Sequence, residues 1–429
     1  MHFRILEEMA LGMNDRYMEG NFHNSIRKER CSYWLLCLVI IALGIRIIGI
    51  RARDLYCDEA AMMLYAKMPW RGLVEILPRE NYGPLYFIVQ KSWNGLMEGY
   101  VWARLLSVTC GIVLVIALFG IGYHMQNRKL GWLAGLIAAT NCFLVAFSQK
   151  IWSYIPCATF VTLTAWLAMQ LIVNANLFED AHPPSYNLKL IVLTAGCWLT
   201  ATVAFYMHYI ALPVLIGIAL AVAWELWRVK AILRIWLLTQ LAFLCSIAPW
   251  LKVLSMRAIA IAHGFHMKHT SISGVLDMFH DFSLFAPSIH HAILSARIVT
   301  AIGILAFGYL LIRGTLIAWH NLRYRFALSV FALGLLLWCI IAIFMPVWHP
   351  RALLPLAPFY LLIIAIGIMA HSHWRLYTWA TLLIALQIAS LSFYFGNDAY
   401  AEAQWRLAAR YLQGHRSSNE PILHTSVLS

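Results

Sequence analysis

Apolar positions along this chain gather into runs close to the ~20 residues that an α-helix needs to cross a bilayer. They fall at about 32–50, 101–122, 131–148, 155–175, 189–207, 209–226, 232–250, 293–312, 326–345, 352–370 and 376–395. Eleven runs predict an all-α polytopic membrane protein with its two ends on opposite sides. "RKER" before the first run and the connections "NRK", "WRVK", "RGTLIAWHNLRYR" and "HSHWR" all lie on the N-terminal side. Short basic loops stay in the cytoplasm, which sets residues 1–31 inside and the segment 396–429 outside. The expected location is a plasma membrane, of the bacterial inner-membrane type. Residues 1–31 show no short apolar core followed by a small-residue cleavage site, so the first run is expected to stay as a signal anchor.

Two connections on the outer side are long, 51–100 and 251–292, and both carry amphipathic stretches at helical spacing. Short helices lying along the membrane surface are predicted in the first, 51–100. Composition agrees with the membrane reading: 62% of the 429 residues are hydrophobic and 12% charged, with a mean hydropathy of +0.71. That excludes an ordinary soluble domain. The formal net charge of +13 is spread among the apolar runs and not gathered on a polar domain, which argues against a nucleic-acid partner and for basic loops facing anionic lipid. The nine cysteines show no CxxC spacing and read as small core residues.

Candidate chemistry begins at "LYCDEAAMMLYAKMPW", where Asp58 and Glu59 follow the first run directly. One reading is structural: Asp54 caps a helix starting near Tyr56, and two carboxylates in its first turn favour the positive end of the helix dipole. The other is catalytic, and the neighbouring motifs bear on it. The same connection continues with "RENYGPLYFIVQKSW" and "EGYVWARLLS"; later come "SQKIWSY", "MHY", "APW", "WHPRALLPLAP" and "QWRLAARYL".

In order, spacing and placement these motifs resemble the GT-C glycosyltransferases, nearest the branch of protein O-mannosyltransferases and lipid A aminoarabinose transferases. The resemblance implies a GT-C transmembrane domain over 32–395 that takes a sugar from a polyprenyl phosphate at the outer face. The sugar passes, with inversion, to a hydroxyl on protein, lipid or glycan. Asp58 matches the family's general base, with Glu59 beside it. Departure of the lipid phosphate builds negative charge that preorganised cations stabilise. Arg104 is the leading candidate, then Lys150 and Arg351; the plainer readings are a snorkelling charge for Arg104, an interfacial anchor for Lys150 and a terminator of the adjoining span for Arg351. Glu80, Tyr82, Pro84, Tyr154, His208 and His349 are expected around the substrate. The chain departs from its relatives where Tyr82-Gly83 replaces a basic or imidazole residue and a proline, and where Lys150 and Trp152 replace Glu and Arg. In relatives the last motif opens a soluble domain, whereas about 25 residues follow Trp405 here.

No cofactor is expected to be required. Some relatives bind a divalent ion near the catalytic acids, which would fall at Asp58, but no residue pattern here supports one. The cluster His263, His266, His269, Asp277, His280 and Asp281 lacks HExxH or Cys/His ligand spacing and reads as a polar helix, not a metal site. Two other functions compete. A transporter would use intramembrane charges such as Arg46 and Glu225, although no inverted repeat is visible; a catalytically silent protein would bind lipid-linked sugar without cleaving it.

Overall fold

The structure, a computed structural model, describes residues 33–180, 184–264, 269–285, 294–396 and 405–415. Among them the regular structure is helical. Helix α1 (Tyr33–Ile47) leads into α2 (Cys57–Lys67), α3 (Trp70–Ile76), a 3-10 turn (Leu77–Arg79) and α4 (Pro84–Asn94). Next come α5 (Tyr100–Met125), α6 (Arg128–Thr140), α7 (Cys142–Ser148), α8 (Tyr154–Asp180) and α9 (Pro184–Met207). They are followed by α10 (Ala211–Glu225), α11 (Lys230–Ile247), α12 (Leu251–Gly264) and α13 (Ile272–Ser283). The bundle closes with α14 (Leu294–His320), α15 (Leu322–Phe344), α16 (Ala357–Met369) and α17 (His373–Gly396), after which comes α18 (Trp405–His415).

Over its described residues each of the eleven apolar runs is mainly helical, and the chain is a multi-pass membrane protein. By length and composition, eight helices among the described residues can cross a membrane, or nine if α6 and α7 form one bent span. The expected spans at 32–50 and 209–226 give the shorter helices α1 and α10, so eleven crossings do not follow from length alone. The connection at 251–292 also differs from expectation at its start: α11 runs through a 3-10 turn at Ala248–Trp250 into α12. Pro249 has no N–H to give, which breaks the helix there without reversing it.

α16 is the buried centre of the bundle. Its sequence is apolar all round, as suits a helix covered on every side. Against α14 it packs through glycines: a Cβ on Gly314 would lie 2.1 Å from the Ile363 carbonyl oxygen, and one on Gly367 would lie 2.3 Å from that of Leu310. Small residues let the two backbones touch where apolar lipid gives little drive to associate.

The 60° bend between α6 and α7 exposes helix-end groups inside the bundle, and two polar side chains meet them. Arg46 of α1, fully buried, donates to the carbonyls of Ala138 and Ala139 at 3.4 and 3.1 Å and to Ser148 Oγ at 3.2 Å. Asn141 accepts from Leu144 N at 3.0 Å as the cap of α7 and donates to the Phe282 carbonyl at 2.8 Å. Arg46 is therefore a fastener of a broken helix, with its charge held by carbonyls.

The connection 51–100 folds into short helices, as expected. Lys91 of α4 closes the end of α2 by donating to the carbonyls of Ala66 and Met68 at 2.9 and 2.5 Å. Trp93 and Trp102 stack at 4.6 Å, and each indole N–H donates to the other's carbonyl at 2.8 Å. These bonds fix α2 and α4 against the start of α5.

Candidate functional site

Two carboxylates adjacent in sequence end in different surroundings. Glu59, at the third position of α2, is fully buried. Its Oε2 accepts the Tyr56 N–H at 3.1 Å, the backward half of a capping box. Tyr56 is therefore the cap residue. Asp54, expected in that place, offers its carbonyl to Arg104 instead. Glu59 Oε1 accepts the Ile151 N–H at 2.9 Å, and Arg104 donates Nε to Oε1 at 3.0 Å and Nη2 to Oε2 at 2.9 Å. This fork-to-fork pair is the strong form of an ion pair.

Arg104, also buried, has its other donors on the carbonyls of Ile50, Arg53 and Asp54 at 2.8, 3.1 and 3.0 Å. All five N–H groups of a guanidinium are thereby used. The expectation that Arg104 faces a donor phosphate does not match this geometry. It ties α5 to the start of the 51–100 connection, and Glu59, expected beside the base, is its counter-ion.

Asp58 turns the other way. Its carboxylate is half-buried and, among the described residues, accepts the Cys57 thiol at 3.7 Å and forms no ion pair. Its charge acts on Tyr82, Tyr154 and Arg351. Arg351, in the 3-10 segment Pro350–Leu356, lies with its guanidinium carbon 5.7 Å from the Trp152 ring centre and 6.0 Å from that of Tyr154. Its Nε is buried without a hydrogen-bond partner among the described residues. Lys150 Nζ stands 4.5 Å over Trp152 and 5.4 Å over Tyr56, so the "SQKIWSY" segment carries a cation and its aromatic bed together.

The remaining candidates surround this pair or hold it. Tyr82 meets His208 edge to face at 5.1 Å and Tyr154 at 6.3 Å, and Tyr154 lies 5.0 Å from His208. Burial first, then Tyr154 and Asp58, hold the Tyr82 phenol well above its usual range, so it stays a proton donor. His208, in the turn between α9 and α10, is buried with Nε2 unpartnered. Burial and then Arg351 push its ring down to about 3, which keeps it neutral. Glu80 accepts from Tyr65 at 2.7 Å. Burial and Glu80 push that phenol up to about 12.

Pro84 is the buried first residue of α4 and positions the turn. Gly83 before it lies against α9, where an added Cβ would fall 2.1 Å from the Tyr206 carbonyl oxygen. His349 caps the 3-10 segment, its Nδ1 accepting the Arg351 N–H at 3.2 Å. The structure thus gathers Asp58, Tyr82, Tyr154, His208, Lys150 and Arg351, and leaves Pro84 and His349 as supports. Tyr56 and Trp152 join the aromatic wall, a role readable only from the run of rings at 147, 152 and 154. Arg257 of α12 bonds Asn81 Oδ1 at 3.2 Å through Nε and 2.5 Å through Nη2, joining the two long connections.

A divalent ion at Asp58 finds a poor set of ligands. Glu59 is committed to Arg104, and no three His, Cys, Asp or Glu side chains among the described residues could hold one. His269 bonds the Ala342 carbonyl at 3.3 Å and His280 pairs with Asp281 at 3.2 Å; the side chains of His263 and His266 lie outside the described residues.

No protein-family model and no curated protein sequence matches the chain. Its fold is similar to solved structures. ArnT from Cupriavidus metallidurans in the apo state superposes over 87% of this chain and 66% of its own, with a TM-score of 0.57 at 15% identity. ArnT bound to undecaprenyl phosphate gives a TM-score of 0.54 over the same shares at 15% identity. The archaeal oligosaccharyltransferase AglB from Archaeoglobus fulgidus, in complex with an inhibitory peptide and a dolichol-phosphate, aligns with 93% of this chain and 62% of its own, with a TM-score of 0.51 at 12% identity. The likeness is one of fold, and the chain spans less than two thirds of the length of those proteins.

Proposed function

We propose that this protein is a membrane glycosyltransferase that moves a sugar from a polyprenyl-phosphate donor to a hydroxyl on a protein, lipid or glycan, with inversion, at the outer face. The observation that carries the reading is the contrast between two acid and arginine sets. Glu59 and Arg104 neutralise each other, whereas Asp58 and Arg351 act on each other without forming an ion pair. An acceptor hydroxyl fits beside Asp58, which takes its proton as the oxygen attacks the anomeric carbon. The bond to the phosphate oxygen breaks, and the charge left on the lipid phosphate meets Arg351 and Lys150 in a site of low dielectric. Tyr82 and Tyr154 supply ring faces for the sugar. The GT-C fold supports this reading, as do undecaprenyl phosphate bound to ArnT and dolichol-phosphate bound to AglB.

Arg46 and Glu225 give little support to a transport pathway: Arg46 is held by backbone carbonyls, and Glu225 lies at the end of α10 with Arg325 as its charge neighbour. The test is sugar release from radiolabelled polyprenyl-phosphate sugars by the purified protein. Expected is release that depends on an acceptor and is lost in Asp58→Asn. Binding of the donor with no release in the wild-type protein, across a panel of sugars and acceptors, would leave a silent lipid-linked-sugar binder as the function.

A further inference from the structure

The opposite end of the bundle carries an open cleft with a chemistry of its own. It lies between α14 and the turn joining α16 to α17, has a volume of about 530 Å3, and falls in the range of small-molecule sites, about 300–1,000 Å3. Tyr309, Arg313, His371, Trp374, Arg375 and Trp379 line it, and among the described residues no carboxylate does. Arg313 donates Nη2 to the Ala370 carbonyl at 3.0 Å, while its Nε is buried without a partner among the described residues. His371 is held between the Gly367 carbonyl and the Tyr309 hydroxyl, each at 3.1 Å. Tyr309 stacks on Trp379 at 4.9 Å, and the exposed Arg375 lies 5.5 Å from the Trp374 ring centre. Beside the cleft, Ile312 and Leu316 of α14 and Tyr377 of α17 are exposed.

We propose that this cleft binds the phosphate of an anionic phospholipid, whose acyl chains run along the exposed side chains of α14. The buried Arg313 Nε–H is a donor in need of an anion, and Arg375 adds a second charge that forms no ion pair among the described residues. A soluble phosphate offers the same oxygens. The lipid is favoured by its surroundings: indole and phenol rings at a helix end mark the headgroup layer, and basic pockets between spans on the cytoplasmic side receive anionic head groups.

The experiment uses the full chain in nanodiscs of phosphatidylcholine with or without phosphatidylglycerol, reading lipid retention by native mass spectrometry and thermal unfolding. Arg313→Gln combined with Arg375→Gln removes both cations. Arg228→Gln combined with Arg323→Gln removes two exposed cations outside the cleft. Phosphatidylglycerol is expected to bind about tenfold more weakly to the first double variant, the scale of one hydrogen bond to a charged group, and as in wild type to the second. Because Arg313 also bonds Ala370, Arg375→Gln alone provides a variant without that structural loss, and it should fall between the two. Equal losses in both double variants would overturn the proposal in favour of diffuse charge. Stabilisation by inorganic phosphate as large as that by phosphatidylglycerol would overturn the lipid assignment.

Discussion

Asp58 and Glu59 show how little adjacency in sequence says about shared function. Consecutive residues of an α-helix point about 100° apart, since a turn takes 3.6 residues. One carboxylate can therefore face inward while the next faces the cluster of Tyr82, Tyr154 and Arg351. Substitutions should separate them. Asp58→Asn is expected to keep the fold and lose about 10²–10⁴-fold in turnover, the usual contribution of a positioned general base; turnover near normal would remove Asp58 from that role. Arg104→Ala leaves Glu59 charged and buried, which costs about 3–5 kcal/mol, read as a large drop in unfolding temperature in detergent. Pairing it with Glu59→Gln should recover part of the loss, and no recovery would mean that the carbonyl bonds of Arg104 matter more than its charge partner. His208 gives a pH signature. Its ring is held near 3 in the folded chain, against about 6.5 unfolded, so the unfolded state takes up the proton first. Stability should fall as pH drops from about 6.5 toward 3, and His208→Gln should flatten that slope in thermal melts recorded across the interval.

At the scale of elements, Gly83 decides whether the site can assemble. With its Cα against the Tyr206 carbonyl, any side chain pushes α4 from α9 and carries Tyr82 away from His208 and Tyr154. Gly83→Ala is expected to cost about 1–3 kcal/mol, as overpacking does, and to lower activity further in the fraction that folds; an unchanged melting curve would show that α4 shifts freely. The sequence made much of this legible. Apolar runs marked the helices of the bundle, because lipid demands them, and Gly83-Pro84 marked the start of α4. The order of the motifs pointed to the GT-C fold. It did not show which arginine would be open. Arg104 and Arg351 both lie in motifs that carry the resemblance, and what distinguishes them is the Glu59 carboxylate and the carbonyls of Ile50, Arg53 and Asp54, brought to Arg104 by folding. Nor did it show that α6 ends early, because Arg46 comes from another helix to hold the break.

For the whole molecule, sidedness has a built-in reporter. A helix of 15 residues such as α10 rises about 22 Å, less than the ~30 Å of a bilayer core, so whether it spans the membrane has to come from its two ends. Cys57 is exposed beside Asp58, at the end of the bundle where α9 meets α10; Arg228 follows α10 at the other. In spheroplasts, a membrane-impermeant maleimide is expected to label Cys57, and the signal should be lost in Cys57→Ser. A cysteine at position 228 in that background should react only after permeabilisation. Burial and the neighbouring Asp58 raise the Cys57 thiol above its usual range, so labelling should quicken as pH rises, and Asp58→Asn should quicken it at fixed pH. If both sites react in intact spheroplasts, α10 does not cross. If only position 228 reacts there, the Asp58 cluster faces the cytoplasm, and a transferase working on the outer face is excluded.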